Sequence, residues 1–191
     1  QAKCLGTGFI FDRQGYIVTS YRVIREASNI EVLVGPTRSK NPAKIVGVDA
    51  KTDLALLKIP PRSHLHPLSL GDSKTLRLGD VVLAVGDPLG FSPKISSGII
   101  SSLGKLTGHD TIHLLDTDIS IDPGNRGGPL LDARGRVVGM ASLREEMKYK
   151  NRNVAVPIDV VKKVVAELKR FGKVKRPWLG VVIKNILSHD E

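Results

Sequence analysis

The feature that most constrains this chain's fold is a series of short runs rich in Val, Ile, Leu and Thr, each broken by Gly, Pro, Asn or Asp. A chain of alternating strands and helices would place helical segments of about 10 to 15 residues between such runs. No such segment occurs before residue 158, so the pattern predicts an all-β fold with two lobes. The predicted strands lie at 7–11, 16–19, 30–34, 43–48 and 54–59, and then at 81–85, 95–103, 112–117, 128–131, 136–142 and 153–156.

Proline content predicts the boundary between the lobes. Three prolines fall within residues 59–67, and because proline fixes φ and removes a backbone donor, such a stretch suits a linker. One helix is predicted, with Asp159 as its cap, an apolar stripe along one face and Gly172 at its end. The predicted units are an N-terminal lobe (1–60), a linker (61–80), a C-terminal lobe (81–157), the helix (158–172) and a segment leading onward (173–191).

Composition narrows the classes of function. Lys and Arg outnumber Asp and Glu by 29 to 19, which gives a net charge of +10, so an acidic partner is conceivable. The basic residues are scattered and only 4% of the chain is aromatic, so nucleic-acid binding is not expected. Cys4 is the lone cysteine, which excludes an internal disulfide, and no signal peptide is recognisable. We therefore expect any targeting segment to lie outside these 191 residues.

The segment 124–131 reads G-N-R-G-G-P-L-L and resembles the nucleophile loop, G-N-S-G-G-P, of trypsin-like serine proteases of the HtrA/DegP family. Further segments resemble that family in the same order along the chain. They are 6–11 with 15–19 (the strand pair before the catalytic histidine), 52–57 (the segment of the catalytic aspartate), 85–90, 97–101 and 173–181 (the connection to a PDZ domain). The chain is therefore identified as similar to this family over nearly its whole length, although the first strand of the family's N-terminal barrel is absent.

The resemblance implies an all-β fold of two chymotrypsin-like six-stranded β-barrels that face each other, followed by a C-terminal α-helix and the start of a PDZ domain. It also implies an extracytoplasmic location, either periplasmic or membrane-anchored. A homotrimer is a further implication, and an active HtrA homologue is a candidate partner. No cofactor is expected.

Two of the three positions that match the family's catalytic triad carry arginine. The histidine position falls on Arg22 and the serine position on Arg126, while the aspartate position keeps Asp53. A guanidinium has no acceptor and stays protonated, so it provides neither a general base nor an attacking oxygen. We therefore expect a pseudoprotease, not an enzyme, in which Arg22 and Asp53 form an ion pair.

Binding without cleavage is the function that these positions favour. The family's oxyanion hole corresponds to the main-chain N–H groups of Gly124 and Arg126, and a glycine at 124 keeps that geometry possible. The resemblance implies that an extended peptide could add as a strand beside the cleft. It also implies that the side chain before the scissile bond is accepted by a pocket near the segment that contains Asn153, Val154 and Ala155. The expected partner is thus a protein or peptide.

Two alternative functions remain open. His64, His66, His109 and His113 are candidate ligands for a transition metal, although the main expectation is that no metal is bound. An active serine endopeptidase of protein quality control is the other alternative, for which Ser20 and Ser120 are the nearby hydroxyls in the sequence.

Overall fold

The computed structural model describes residues 6–61, 65–87, 92–105, 113–143 and 153–176. The described residues form twelve strands and two helices. The strands are β1 (Gly8–Ile10), β2 (Tyr16–Ser20), β3 (Glu31–Val34), β4 (Ser39–Pro42), β5 (Lys44–Asp49), β6 (Leu54–Lys58), β7 (Val81–Gly86), β8 (Lys94–Lys105), β9 (His113–Thr117), β10 (Pro129–Asp132), β11 (Val137–Leu143) and β12 (Asn153–Pro157). The helices are α1 (Tyr21–Ile24) and α2 (Ile158–Phe171).

The second half of the chain forms a closed barrel of six antiparallel strands, in the order β10-β11-β12-β9-β8-β7, which closes because β7 also pairs with β10. Every second residue of β7 is buried, as a strand with one face toward a core requires. Register shifts in β8 and β10 supply the local bends that a closed sheet needs. The barrel core is apolar and includes Val82, Ile100, Leu130 and Ala155.

The first half of the chain is a four-stranded sheet in the order β1-β2-β6-β5, with β3 and β4 as a separate hairpin. Strand β6 is buried on both faces, since Leu54 to Leu57 are all 3% exposed or less, and it separates two hydrophobic clusters. The prediction of a second six-stranded barrel is therefore not confirmed. Among the described residues no ladder joins the β3–β4 hairpin to β1 or β5, so this sheet stays open.

Helix α2 begins at Ile158 and ends at Gly172, whose φ of +71° is the left-handed cap that glycine favours. Its buried stripe, which includes Val161, Val165 and Leu168, packs in a cluster with residues of both halves. Asp159 is not the cap, contrary to the expectation. The helix starts one residue earlier, and the Asp159 carboxylate accepts hydrogen bonds from the N–H and Oγ of Ser73 instead.

Neither helix in the described part of the chain combines the length and the apolar composition that a membrane span requires. The predicted start of a PDZ domain, at 177–191, lies outside the described residues.

Candidate active site

Asp53 lies at the turn between β5 and β6 in a left-handed backbone conformation, with φ of +60°, and is only 2% exposed. Its carboxylate accepts hydrogen bonds from the hydroxyl of Ser20 at 2.8 Å and from that of Ser142 at 2.7 Å. The main-chain N–H of Arg22 donates a third, at 3.0 Å. These donors satisfy a buried carboxylate that would otherwise be costly to bury.

Arg22 therefore reaches Asp53 in a different way from the one predicted. It lies in α1, directly after β2, and its backbone rather than its guanidinium donates in the contacts described for Asp53. The N–H of Tyr21 also donates to the Asp53 carbonyl, at 3.0 Å. The first turn of α1 is thus fixed on the Asp53 turn through the main chain, which needs no particular side chain at position 22.

The loop that carries Gly124 and Arg126 packs against the first two strands. Gly127 has φ of +83°, and a Cβ on it would lie 2.5 Å from Thr19 Oγ1 and 2.6 Å from Ser20 N. Only a glycine fits this contact. The loop therefore brings Arg126 beside the end of β2, where the Arg22 backbone contacts Asp53. Arg22 and Arg126 are half-buried and Asp53 is buried; we refer to the surface around these three residues as the cleft, because the family resemblance places the substrate cleft here.

Thr7 fixes that loop from the N-terminal side. Its N–H donates to the Arg126 carbonyl at 3.0 Å, and its hydroxyl donates to the Gly124 carbonyl at 2.7 Å. From the other side, the Gly127 N–H donates to the Ala141 carbonyl at 2.8 Å. The carbonyls of Gly124 and Arg126 thus both accept from Thr7, and the predicted use of the Gly124 and Arg126 N–H groups as an oxyanion hole stays a prediction.

Ser142 and Thr7 were missed as site residues by sequence reasoning. Ser142 lies in an apolar run, and Thr7 lies in the segment 6–11, where the resemblance assigns it no role. Each meets its partner only through contacts between distant parts of the chain, 89 residues apart for Ser142 and Asp53 and 117 for Thr7 and Gly124.

The predicted peptide-binding residues Asn153, Val154 and Ala155 belong to β12, which is a strand of the closed barrel. Val154 and Ala155 are 1% and 0% exposed, and β12 is paired on one side with β11 and on the other with β9. The side-chain oxygen of Asn153 accepts from the Ile121 N–H at 3.1 Å. Both edges of β12 at Val154 and Ala155 are thus already hydrogen-bonded, so an added strand would pair elsewhere, and the pocket expected near this segment stays a prediction.

Of the four candidate histidines, only His66 is described with its side chain. His66 is exposed, and only the backbone of His113 is described, at the start of β9. His64 and His109 lie outside the described residues. Within the described part of the chain, no group of three or more His, Cys, Asp or Glu side chains could hold a metal ion.

Comparison with known proteins identifies the family. A family model described as a trypsin-like peptidase domain matches residues 6–140. A protein of Pseudomonas putida, named a probable periplasmic serine endoprotease DegP-like, is 42% identical over 97% of this chain and 39% of its own length. A Halomonas elongata protein of the same name is 39% identical over 97% of this chain and 40% of its own length. The chain thus spans about two fifths of the length of these relatives.

Solved structures agree with the sequence relatives. A serine endoprotease from Yersinia pestis has a TM-score of 0.80 at 36% identity, over 93% of this chain and 62% of that one. The HtrA-type protease AlgW with a decapeptide has a TM-score of 0.84 at 35% identity, over 94% of this chain and 56% of that one.

These comparisons correct the expectation that the chain is not an enzyme. That expectation was drawn from Arg22 and Arg126 alone, whereas relatives that are 42% identical over 97% of the chain are named serine endoproteases. The prediction from these two positions that the chain is not an enzyme is therefore wrong. The chain belongs to the family of trypsin-like peptidase domains, and relatives compared above are named DegP-like or HtrA-type proteases.

Proposed function

We propose that this chain is the protease domain of a longer HtrA-type serine endoprotease and that it engages extended segments of protein substrates in the cleft beside Arg126. The observation that carries the proposal is the relationship to DegP-like serine endoproteases over 97% of the chain. A decapeptide accompanies the structural relative AlgW, which supports a peptide as the class of ligand.

One strand edge for an added peptide lies beside the loop of Arg126. Strand β11 pairs with β10 only as far as Met140, but it pairs with β12 as far as Leu143. The backbone of residues 142 and 143 therefore has a strand neighbour on one side only, next to the loop of Arg126 and to Asp53, which Ser142 contacts. Main-chain hydrogen bonds at such an edge bind an extended chain with little dependence on its sequence. We therefore propose this edge as the place where the backbone of a peptide pairs, with the pocket near Asn153 to Ala155 kept as the proposed site for a substrate side chain.

The arginines define what the cleft offers chemically. Guanidinium groups at positions 22 and 126 supply positive charge and hydrogen-bond donors, which suit a peptide carbonyl or a carboxylate. They supply no attacking oxygen, so peptide hydrolysis would use a hydroxyl from another position. The hydroxyls in contact with Asp53 belong to Ser20 and Ser142, and both residues are 0% exposed.

Polypeptide binding is tested with fluorescently labelled, unfolded β-casein, for which the proposal predicts saturable binding by fluorescence anisotropy. In the control, native ribonuclease A, which is a folded protein, replaces the casein and should not bind. The absence of saturable casein binding would overturn the proposal.

Endoprotease activity is tested separately, on the same casein, together with a fluorophosphonate probe and mass spectrometry of the labelled peptide. Turnover with labelling of one serine supports the endopeptidase and identifies its nucleophile. Binding without turnover or labelling, at enzyme concentrations equal to the substrate, would contradict hydrolysis by this chain and leave the binding part of the proposal standing.

We also infer an extracytoplasmic location, supported by the word periplasmic in the names of the relatives. Assembly into a homotrimer and pairing with a homologue belong to the same proposal. Light scattering after size exclusion tests the assembly, since a trimer has three times the 20.7 kDa mass of the chain; a mass equal to one chain at all concentrations would exclude it.

A further inference from the structure

An ion pair joins the N-terminal hairpin to the barrel at the rim of the cleft. Arg38 lies in the turn between β3 and β4, in a left-handed conformation with φ of +51°. Its Nη1 donates to Oδ2 of Asp87, directly after β7, at 2.7 Å. The two side chains are 31% and 23% exposed. The pair thus connects two elements that share no strand ladder among the described residues.

Asp87 is connected in turn to the loop of Arg126. The Asp87 N–H donates to the Thr7 hydroxyl at 3.0 Å, and that hydroxyl donates to the Gly124 carbonyl at 2.7 Å. The Thr7 N–H donates to the Arg126 carbonyl, and the Thr7 carbonyl accepts from Thr19 Oγ1 at 2.7 Å. Thr7 therefore uses its N–H, carbonyl and hydroxyl to hold one strand end, the Asp87 backbone and the loop together.

Direct packing reinforces this connection. Gly86 precedes Asp87 and lies so close to the loop that a Cβ on it would be 2.8 Å from the Asn125 Cα. Asn125 itself is 1% exposed. A displacement of the 86–87 backbone therefore cannot occur without a displacement of the loop, because close-packed atoms transmit strain.

We propose that Arg38, Asp87 and Thr7 are positioning residues, which hold the 124–127 loop in the geometry that binds polypeptide. This inference rests on the proposed function of the cleft. The Arg38–Asp87 pair acts on Thr7 through the Asp87 backbone, and Thr7 acts on the carbonyls of Gly124 and Arg126. None of the three needs to touch the bound chain.

The electrostatic character of the connection gives it a signature. Ion pairs with this much exposure add little to folding stability and weaken as salt screens them. We therefore expect loss of the pair to lower the affinity for polypeptide while leaving the thermal midpoint nearly unchanged. The affinity of the wild-type chain should also fall with salt more steeply than that of a variant without the pair.

The test uses Arg38→Gln, Asp87→Asn and the double charge reversal Arg38→Asp with Asp87→Arg. Arg136→Gln is the matched control, because Arg136 pairs with Asp132 at 2.8 Å with similar exposure of 41% and 14%, but within a single turn of the barrel. Thr7→Val, which keeps the shape of the side chain and removes its hydroxyl, tests the next step. The readouts are the dissociation constant for labelled unfolded β-casein from 50 to 500 mM salt (roughly threefold in Debye length over this range), the thermal midpoint, and hydrogen exchange of the 124–128 amides.

We expect each single change at positions 38 and 87 to weaken casein binding about 3- to 10-fold at low salt and to speed exchange at 124–128, as a connection of a few hydrogen bonds allows. The charge reversal should recover binding to within about twofold, and Arg136→Gln should behave as the wild type. Thr7→Val should resemble the single changes.

Two results would overturn the inference: equal effects of Arg38→Gln and Arg136→Gln, or unchanged exchange at 124–128 in both Arg38→Gln and Asp87→Asn. Failure of the wild-type chain to bind casein would instead overturn the proposed function. In that case hydrogen exchange of the loop still decides whether these residues position it.

Discussion

The Asp53 carboxylate is held by two serine hydroxyls and one backbone N–H. This arrangement explains why the turn can persist whatever side chain occupies position 22. A network of this kind is satisfied only while every donor is present, because the carboxylate is almost completely buried.

Ser142→Ala removes one of the two hydroxyls within hydrogen-bond distance of Asp53 Oδ2. We expect the free energy of unfolding to fall by about 2 kcal/mol, since hydrogen bonds to charged groups contribute on the order of 1.5 to 3 kcal/mol. Urea denaturation measures this loss. Ser101→Ala, at an exposed position on β8, is the control and should change stability by less than about 0.5 kcal/mol. An equal effect of the two substitutions would mean that the contact contributes nothing.

Gly127→Ala tests the contact between the loop and the end of β2. The new Cβ would need a left-handed backbone and would meet Thr19 and Ser20, so we expect a loss of about 3 kcal/mol or more. Gly135→Ala is the matched control, because Gly135 has φ of +74° but no atom within 4 Å of its Cβ position. Its cost should be about 1 kcal/mol. Equal losses would show that backbone strain, not packing, fixes the loop.

Sequence reasoning found Asp53 and the loop of Arg126 because each lies in a short segment with a recognisable order of residue types. It could not find Ser142, because a serine in an apolar run carries no signal until β11 is placed beside the Asp53 turn. It also assigned the contact with Asp53 to the guanidinium of Arg22. The described contact is made by the backbone N–H of that residue, which every non-proline residue has.

At the scale of elements, an ion pair joins the segment that follows α2 to β5. Arg176 donates to both oxygens of Asp49, at 2.7 and 2.5 Å, and Thr52 Oγ1 donates to the same carboxylate. Burial raises the pKa of Asp49, but the hydrogen bonds from Arg176 and Thr52 outweigh burial and leave the pKa below its usual value of 3.8. The chain that leaves the helix is thereby tied to the turn that precedes Asp53.

The Arg176–Asp49 ion pair makes the free energy of unfolding depend on pH in a definite direction. Because the pKa of Asp49 is lower in the folded chain, its contribution is complete above about pH 4 and is lost as pH falls through the folded pKa. Arg176→Gln should cost about 2 kcal/mol at pH 7 and should flatten the decline of stability between about pH 5 and pH 2. Denaturation at several pH values measures both effects. The control Lys94→Gln, which breaks an exposed pair with Asp122, should change neither; an unchanged pH profile in Arg176→Gln would contradict this account.

Elements were easier to predict from the sequence than their assembly. The alternation in β7 and the stripe of α2 are local patterns, and the structure contains both. Whether a sheet closes depends on pairing between its first and last strands, which no local pattern encodes. The barrel β7–β12 closes, while the sheet β1-β2-β6-β5 is open among the described residues.

At the scale of the whole molecule, the residues at positions 22 and 126 and the sequence as a whole lead to different conclusions about whether the chain is an enzyme. Arg22 and Arg126 alone suggested a chain outside the enzymes, yet identity of 42% over 97% of the chain relates it to serine endoproteases. Fold and family depend on many residues, and a change at two cleft positions leaves them intact. Chemistry depends on those few positions, which is why activity has to be measured on this chain itself.

The most direct test of the proposed function is hydrogen exchange of the full chain with and without saturating unfolded β-casein. The account predicts slower exchange on binding at residues 124–128 and at 142–143, where the loop and the one-sided edge of β11 meet, with no change at the paired residues 154 and 155. Casein that binds but slows exchange only outside the cleft, or that produces no change at 124–128 and 142–143, would contradict it.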